Sequence, residues 1–175
     1  MKKRIILTHN ELKKQWGVLI FTLFVFSNIS YGQEVKSDGL YKTYYDNGHV
    51  QTEGCFKNNK IDGILKSYYK NGNLESELTY KDGIMHGLAK VYYNNGNLKE
   101  KHYYENGSIK GMAYFYYESG KLMAEANYKN GYQHGITKIY YEESGKLMTE
   151  DLYDNGKLIH RREFEYPQEK IFIER

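Results

Sequence analysis

Beyond residue 38 the chain is written in short runs of alternating apolar and polar positions, broken by turn residues. Gly63-Ile-Leu-Lys-Ser-Tyr-Tyr69 is one such run, followed by Lys70-Asn71-Gly72-Asn73; Leu74-Glu-Ser-Glu-Leu-Thr-Tyr80 is the next, closed by Lys81-Asp82-Gly83. Alternation over a short stretch marks a half-buried strand, because successive side chains leave a strand on opposite faces. Asn-Gly and Asp-Gly are strong hairpin signals, since a type I′ turn needs positive φ at both central residues. The pattern therefore predicts a β-hairpin with type I′ geometry at both turns.

The hairpin recurs. Gly39, Gly63, Gly87, Gly111 and Gly135 stand 24 residues apart, and each is followed five residues later by a tyrosine pair, Tyr44-Tyr45, Tyr68-Tyr69, Tyr92-Tyr93, Tyr116-Tyr117 and Tyr140-Tyr141. The first turn returns as Asn47-Gly48, Asn95-Gly96, Ser119-Gly120 and Ser144-Gly145, the second as Asn58-Asn59, Asn106-Gly107, Asn130-Gly131 and Asn155-Gly156. A fixed period of this kind signals units that are stable only when stacked on their neighbours. Five hairpins and a closing strand imply 10 to 11 antiparallel strands, and at ~4.8 Å each a sheet roughly 50 Å long. Its ends need protection. The charged run Arg161-Arg162-Glu163-Phe164-Glu165-Tyr166 reads as a cap, with His160 where an opening glycine would fall. The lone proline, Pro167, lies beyond it, and the extra residue within Tyr141–Gly145 predicts a longer turn or a bulge.

Strict alternation assigns faces. In the first strands Tyr44, Tyr68, Tyr92, Tyr116 and Tyr140 join Leu40, Ile64, Leu88, Met112 and Ile136, while the second tyrosine of each pair joins the other face. In the second strands Val50, Leu74, Leu98, Leu122 and Leu147 are expected to share a face with Phe56, Tyr80, Tyr104, Tyr128 and Tyr153, opposite Glu53, Glu77, Glu125, Glu150 and the exceptional Lys101. The recurrent glycine is read as clearing room for a ring over bare backbone, because glycine inside a strand otherwise weakens it. The first tyrosine of each pair, with an apolar body and a polar tip, is the first candidate for binding.

The beginning of the chain follows another pattern. Lys2, Lys3, Arg4, Lys13 and Lys14 precede an apolar stretch from Trp16 to Phe26, and Ser30 and Gly32 flank Tyr31. That reads as a signal peptide, residues 1–32, cut after Gly32. As a helix its 11-residue core would span about 16 Å, half of a hydrocarbon layer. Residues 33–38 then form a linker, 39–166 the repeats and closing strand, and 167–175 a tail. The protein is expected to be exported, to the periplasm or beyond the cell, and to meet the membrane only through that signal.

Removing the leader changes the charge. It holds five of the 25 Lys/Arg residues and one of the 22 acids, so the remainder has 20 bases and 21 acids, and the apparent +3 becomes −1. Nothing then points to nucleic acid, which calls for a clustered basic face. Only 26 of the 143 remaining residues are Leu, Ile, Val or Phe, a share in the range of disordered chains. Near-zero charge and 19 tyrosines in fixed register argue instead for a fold built on tyrosine.

Candidate chemistry is sparse. Cys55 is the sole cysteine and occupies a position filled elsewhere by Thr79, Tyr103, Asn127 and Leu152. His86 and His134 lie two repeats apart, about 19 Å by strand spacing, too far to share a zinc. No serine or cysteine stands in a nucleophile motif. The residues predict no catalytic site, no metal site and no cofactor.

The pattern Tyr-Tyr-x-Asn-Gly-x-Leu, then Glu, then Tyr-Lys-x-Gly-x-x-His-Gly, clearest from Tyr68 to Gly87 and from Tyr116 to Gly135, resembles the MORN-repeat variant family. The resemblance spans residues 39–166. It implies an all-β fold, a single-layer twisted antiparallel sheet of stacked hairpins, here preceded by the signal-peptide helix, and a role in interaction or scaffolding. Some bacterial members look like antitoxins, although an export signal is at odds with neutralising a cytoplasmic toxin. The expected function is a non-enzymatic module binding an envelope protein or polysaccharide, with an antitoxin- or immunity-type component that binds a toxin protein as the alternative. The oligomeric state is left open.

Overall fold

The computed structural model describes residues 38–165, and the proposed leader, most of the linker and the tail lie outside them. Among the described residues every regular element is a strand. The first repeat supplies β1 (Gly39–Tyr44) and β2 (Val50–Lys57); the second β3 (Lys60–Ile61), β4 (Gly63–Tyr68) and β5 (Leu74–Lys81). The third supplies β6 (Ile84–Tyr92) and β7 (Leu98–Glu105), the fourth β8 (Ser108–Ile109), β9 (Gly111–Tyr116) and β10 (Leu122–Lys129). The fifth holds β11 (Tyr132–Gln133), β12 (Gly135–Tyr140) and β13 (Leu147–Asp154), and β14 (Lys157–Glu163) closes the array. They form one antiparallel sheet in the order β1-β2-β4-β5-β6-β7-β9-β10-β12-β13-β14, with β3, β8 and β11 pairing beside β2, β7 and β10. Eleven strands in hairpin order is the expected architecture.

The two turns differ in kind, which corrects the expectation of type I′ geometry at both. At the second turn both central residues have positive φ, as at Asn58 and Asn59 (50° and 59°) or Asp82 and Gly83 (51° and 82°), which is type I′. At the first turn only the glycine does, as at Gly72 (90°). There the Gly72 N–H donates to the Tyr69 carbonyl and the Tyr69 N–H to the Asn73 carbonyl, at 2.8 Å each. That is a three-residue loop in which a type I turn is followed by a left-handed glycine. Serine can replace asparagine in it, as Ser119 does, because that position keeps negative φ. The extra residue of repeat five lengthens the same loop, with Tyr141 N–H bonded to the Lys146 carbonyl.

Next to each first turn the second strand carries one unpaired residue. Tyr68 faces Leu74 while Ser67 faces Ser76, leaving Glu75 as a bulge. Gln51, Lys99, Met123 and Met148 are extra in the same way. A single added residue reverses the inside–outside phase. Leu74 and its equivalents therefore share a face with Glu77, not with Tyr80, which overturns the second-strand assignment above.

Every fully buried residue among those described lies on one face, the inner face. Small residues occupy its middle: Ala89, Ala113, Ala124 and Ala126 are at most 1% exposed. Tyr69, Tyr93 and Tyr117 stand at one end of the strands and Tyr80, Tyr104 and Tyr128 at the other, so rings shield a centre with few aliphatics. Burial pushes the phenols of Tyr80, Tyr117 and Tyr128 up to about 12. The second tyrosine of each pair also ties its repeat to the next. Tyr45 donates to the Tyr68 carbonyl, Tyr69 to that of Tyr92, Tyr93 to that of Tyr116 and Tyr117 to that of Tyr140, at 2.7 to 2.8 Å.

The opening glycines sit where the strand bends. Gly63 follows Asp62, between a segment paired to β2 at Phe56–Ile61 and one paired at Glu53–Lys66, so the bend absorbs two extra residues. No ring lies over it: a Cβ added at Gly39, Gly63 or Gly111 would meet nothing within 4 Å. Glycine is required because φ is +130°, +105°, +125°, +77° and +88° in the five repeats, values that L side chains rarely adopt. The closing strand passes the bend with one residue fewer. Arg161 faces Asp151 as Ala89 faces Leu78, so His160 takes the place of Leu88 and not that of the glycine.

Candidate functional site

The face opposite the core is the candidate site, and three rows of side chains cross it from strand to strand. The row nearest the bends carries Leu40, Ile64, Leu88, Met112 and Ile136, the residue after each opening glycine. They alternate with Cys55, Thr79, Tyr103, Asn127 and Leu152. The five first-strand residues of this row are 38% to 65% exposed. Isolated exposed aliphatics need no explanation, but here one recurs in every repeat along a single row.

The middle row is charged. Lys42 pairs with Glu53, and Lys66 and Lys90 flank Glu77. Beyond Lys101 and Tyr114, the row resumes with Glu125, Lys138, Glu150 and Arg162. Lys42 Nζ lies 2.8 Å from Glu53, Lys90 3.7 Å from Glu77 and Lys138 3.6 Å from Glu125. These are exposed pairs, each of small energetic weight.

The third row holds the predicted binding tyrosines and, across the strand pair from each, Val50, Leu74, Leu98, Leu122 or Leu147. Tyr44 is 58% exposed; Tyr68, Tyr92, Tyr116 and Tyr140 are half-buried. Three of them reach back to the preceding repeat: Tyr68 donates to Glu53 at 2.6 Å, Tyr92 to Glu77 at 3.2 Å and Tyr140 to Glu125 at 2.6 Å. Burial first, then the carboxylate, pushes the Tyr68 and Tyr140 phenols up to about 12, so they remain donors at neutral pH. Lys42, with help from Tyr68, holds the Glu53 carboxyl below its ordinary range. The five tyrosines thus lie in one line on one face, as alternation requires, with their hydroxyls partly committed to the sheet. The structural glycines do not line the site; they set the bend beside the aliphatic row.

The first row carries no site signal of its own in the sequence, although strict alternation already places it on the same face as the tyrosines. The signal available was that a one-sided core leaves the Leu40 column outside, and alternation alone does not say which side is covered. Cys55 is exposed in that row, opposite Leu40.

Other candidates have local explanations. His86 Nδ1 is 3.5 Å from the Asn106 N–H, and His134 Nδ1 is 3.2 Å from Asp154, so each attends a second turn. Asp38 and Asp62 accept the Asn58 and Asp82 N–H groups in the same way. Among the described residues no three His, Cys, Asp or Glu side chains gather closely enough to hold a metal. A shallow depression of about 500 Å³ is lined by His49, Val50, Tyr68, Asn71, Gly72 and Asn73. Its one histidine lies 2.9 Å from the Lys70 carbonyl, which is turn packing and not acid–base chemistry. On the inner face, Asp151 is fully buried and held by Arg161 at 2.7 and 2.5 Å.

Comparison with known proteins agrees with this geometry. The sequence profile of one family, described as MORN repeat variant, matches residues 37–58, 61–82, 85–106, 99–115, 109–130 and 133–155. No curated protein matches the chain.

Proposed function

Because this chain belongs to the MORN repeat variant family, whose arrays are repeat-based protein-interaction modules and generally non-catalytic, we propose that it is an exported, non-enzymatic module. Its outer face grips a protein or polysaccharide of the cell envelope. The observation that carries this reading is the exposed aliphatic row and, beyond the charged row on the same face, a line of tyrosines, both repeated at each hairpin. Binding surfaces are rich in tyrosine for its large apolar body and its polar tip. A long sheet offers many equivalent contacts, each weak, that add along a partner. The alternative, an antitoxin- or immunity-type component that holds a toxin protein, would use the same face. A toxin-like open reading frame beside the gene would favour it.

Capture of ligand from an envelope extract by the mature protein tests the proposal. Replacing Tyr68, Tyr92 and Tyr116 with serine, or Ile64, Leu88 and Met112 with serine, should abolish capture while circular dichroism keeps its β signature. Undiminished capture by both folded variants would refute the role of this face. Export is tested separately by mass spectrometry, which should find a mature protein that begins at Gln33.

A further inference from the structure

The charged middle row of the outer face alternates basic and acidic side chains with a single fault near the centre of the array. Lys101 stands directly opposite Lys90, and Tyr114 follows where a lysine would restore the order. Like charges opposed across a strand pair are destabilising. Lys90 is answered by Glu77 at 3.7 Å on its other side. Lys101 is exposed, and among the described residues no carboxylate lies within ion-pair distance of it. The same substitution removes a second partner. Tyr68, Tyr92 and Tyr140 each donate to the glutamate 15 residues before them, whereas Tyr116 finds Lys101 there. A cation and a phenol hydroxyl are therefore left without an acidic partner at the same place. Leu88, Tyr103 and Met112 border it, at 38%, 44% and 41% exposure.

The geometry points to Lys101 and Tyr116 as the seat for an acidic side chain of a partner protein, an Asp or Glu carboxylate with apolar residues beside it. Such a carboxylate would sit over Lys101, where the glutamate is missing, with Lys90 on one side and the Tyr116 hydroxyl donating from the other. Complementary charge of this kind fixes register and partner choice more than raw affinity. The aliphatic border favours a protein over an acidic glycan, because Leu88 and Met112 offer no hydrogen bonds to sugar hydroxyls but would cover leucine or valine side chains. Covering them excludes water from the ion pair and strengthens it. This inference rests on the outer face being the interaction surface.

The decisive variant is Lys101→Glu, which repairs the ladder with the residue already present at Glu53, Glu77 and Glu125, so its melting temperature should not fall. The probes are immobilised synthetic peptides alternating leucine with glutamate, with glutamine or with lysine, and polygalacturonate as an acidic glycan. The full chain should retain the glutamate peptide in preference to the other two. Lys101→Glu should weaken that retention about tenfold or more, as expected for reversing a charge at a docking centre. Equal retention of the three peptides, or an unaltered glutamate peptide interaction in Lys101→Glu, overturns the proposal. So does polygalacturonate binding as tightly with the same dependence on Lys101. If Leu88→Ser lowers retention and Lys101→Glu does not, the acidic seat alone falls and the outer face stands; if neither variant matters, both fall.

Discussion

His102 shows how far one side chain can depart from its repeat. Its equivalents are Gly54, Leu78, Ala126 and Asp151, and it lies on the inner face at 5% exposure. Its ring meets Tyr104 edge-on and Phe115 at a tilt, both at 5.9 Å, and its Nε2 is 3.4 Å from Glu100. Burial lowers its pKa from 6.5 to about 4. The unfolded chain therefore takes up a proton below pH 6.5 that the folded one refuses until about pH 4. Stability contributed by neutral His102 is present above pH 6.5 and is lost as the pH falls through that window, by up to about 3 kcal/mol. Glu100 acts in the opposite sense, since burial raises its pKa and favours protonation in the fold. His102→Leu, matching Leu78, should flatten the fall in melting temperature between pH 7 and pH 4. Parallel curves for variant and wild type would show that the histidine does not titrate this way.

At the scale of the element, the hairpin is held by backbone ladders and sewn to its neighbour by tyrosine hydroxyls and turn side chains. Asn97 donates to the Glu118 carbonyl at 2.8 Å and Asn73 to that of Asn94 at 2.7 Å, one repeat onward. At the other end, each second-turn glycine N–H reaches the preceding repeat, as Gly107 does to the Met85 carbonyl. Tyr93 and Tyr116 are unequal in these ties: Tyr93 donates to the next repeat, whereas Tyr116, unlike Tyr68, Tyr92 and Tyr140, finds Lys101 in place of an acceptor. Tyr93→Phe removes a donor to the Tyr116 carbonyl and should cost about 1 kcal/mol in urea unfolding. Tyr116→Phe, whose hydroxyl bonds to no described residue, should stay within about 0.5 kcal/mol of wild type. Similar losses in both would mean that the rings, not the hydroxyl ties, join the repeats.

At the largest scale, the described strands form a one-dimensional array, whose two ends decide whether it stays a single sheet. At the far end Asp151, fully buried, relies on Arg161 of the closing strand. Removing one member of such a pair strands a buried charge, so Arg161→Met should cost roughly 3 to 5 kcal/mol. Adding Asp151→Leu, the residue present as Leu78, should recover most of that loss. A denaturant series on the two variants checks both outcomes, and no recovery in the double variant would show that the cap acts through something other than the ion pair.

Much of this was legible in the chain. Asn130-Gly131, the paired tyrosines and the 24-residue period declare stacked hairpins, because turn chemistry and alternation act over a few residues and need no distant partner. The line of Tyr68, Tyr92, Tyr116 and Tyr140 followed from the same alternation. The tertiary structure decided which face is inside, and for a specific reason: Glu75 and its equivalents bulge only when two strands pair, and that one unmatched residue carries Leu74 outward and Tyr80 inward. It also showed that Gly63 serves a positive φ rather than a ring, and that Lys101 faces Lys90. Local chemistry set the unit and its number, while inside and outside depend on cross-strand register, a property of two strands together that no single stretch of sequence contains.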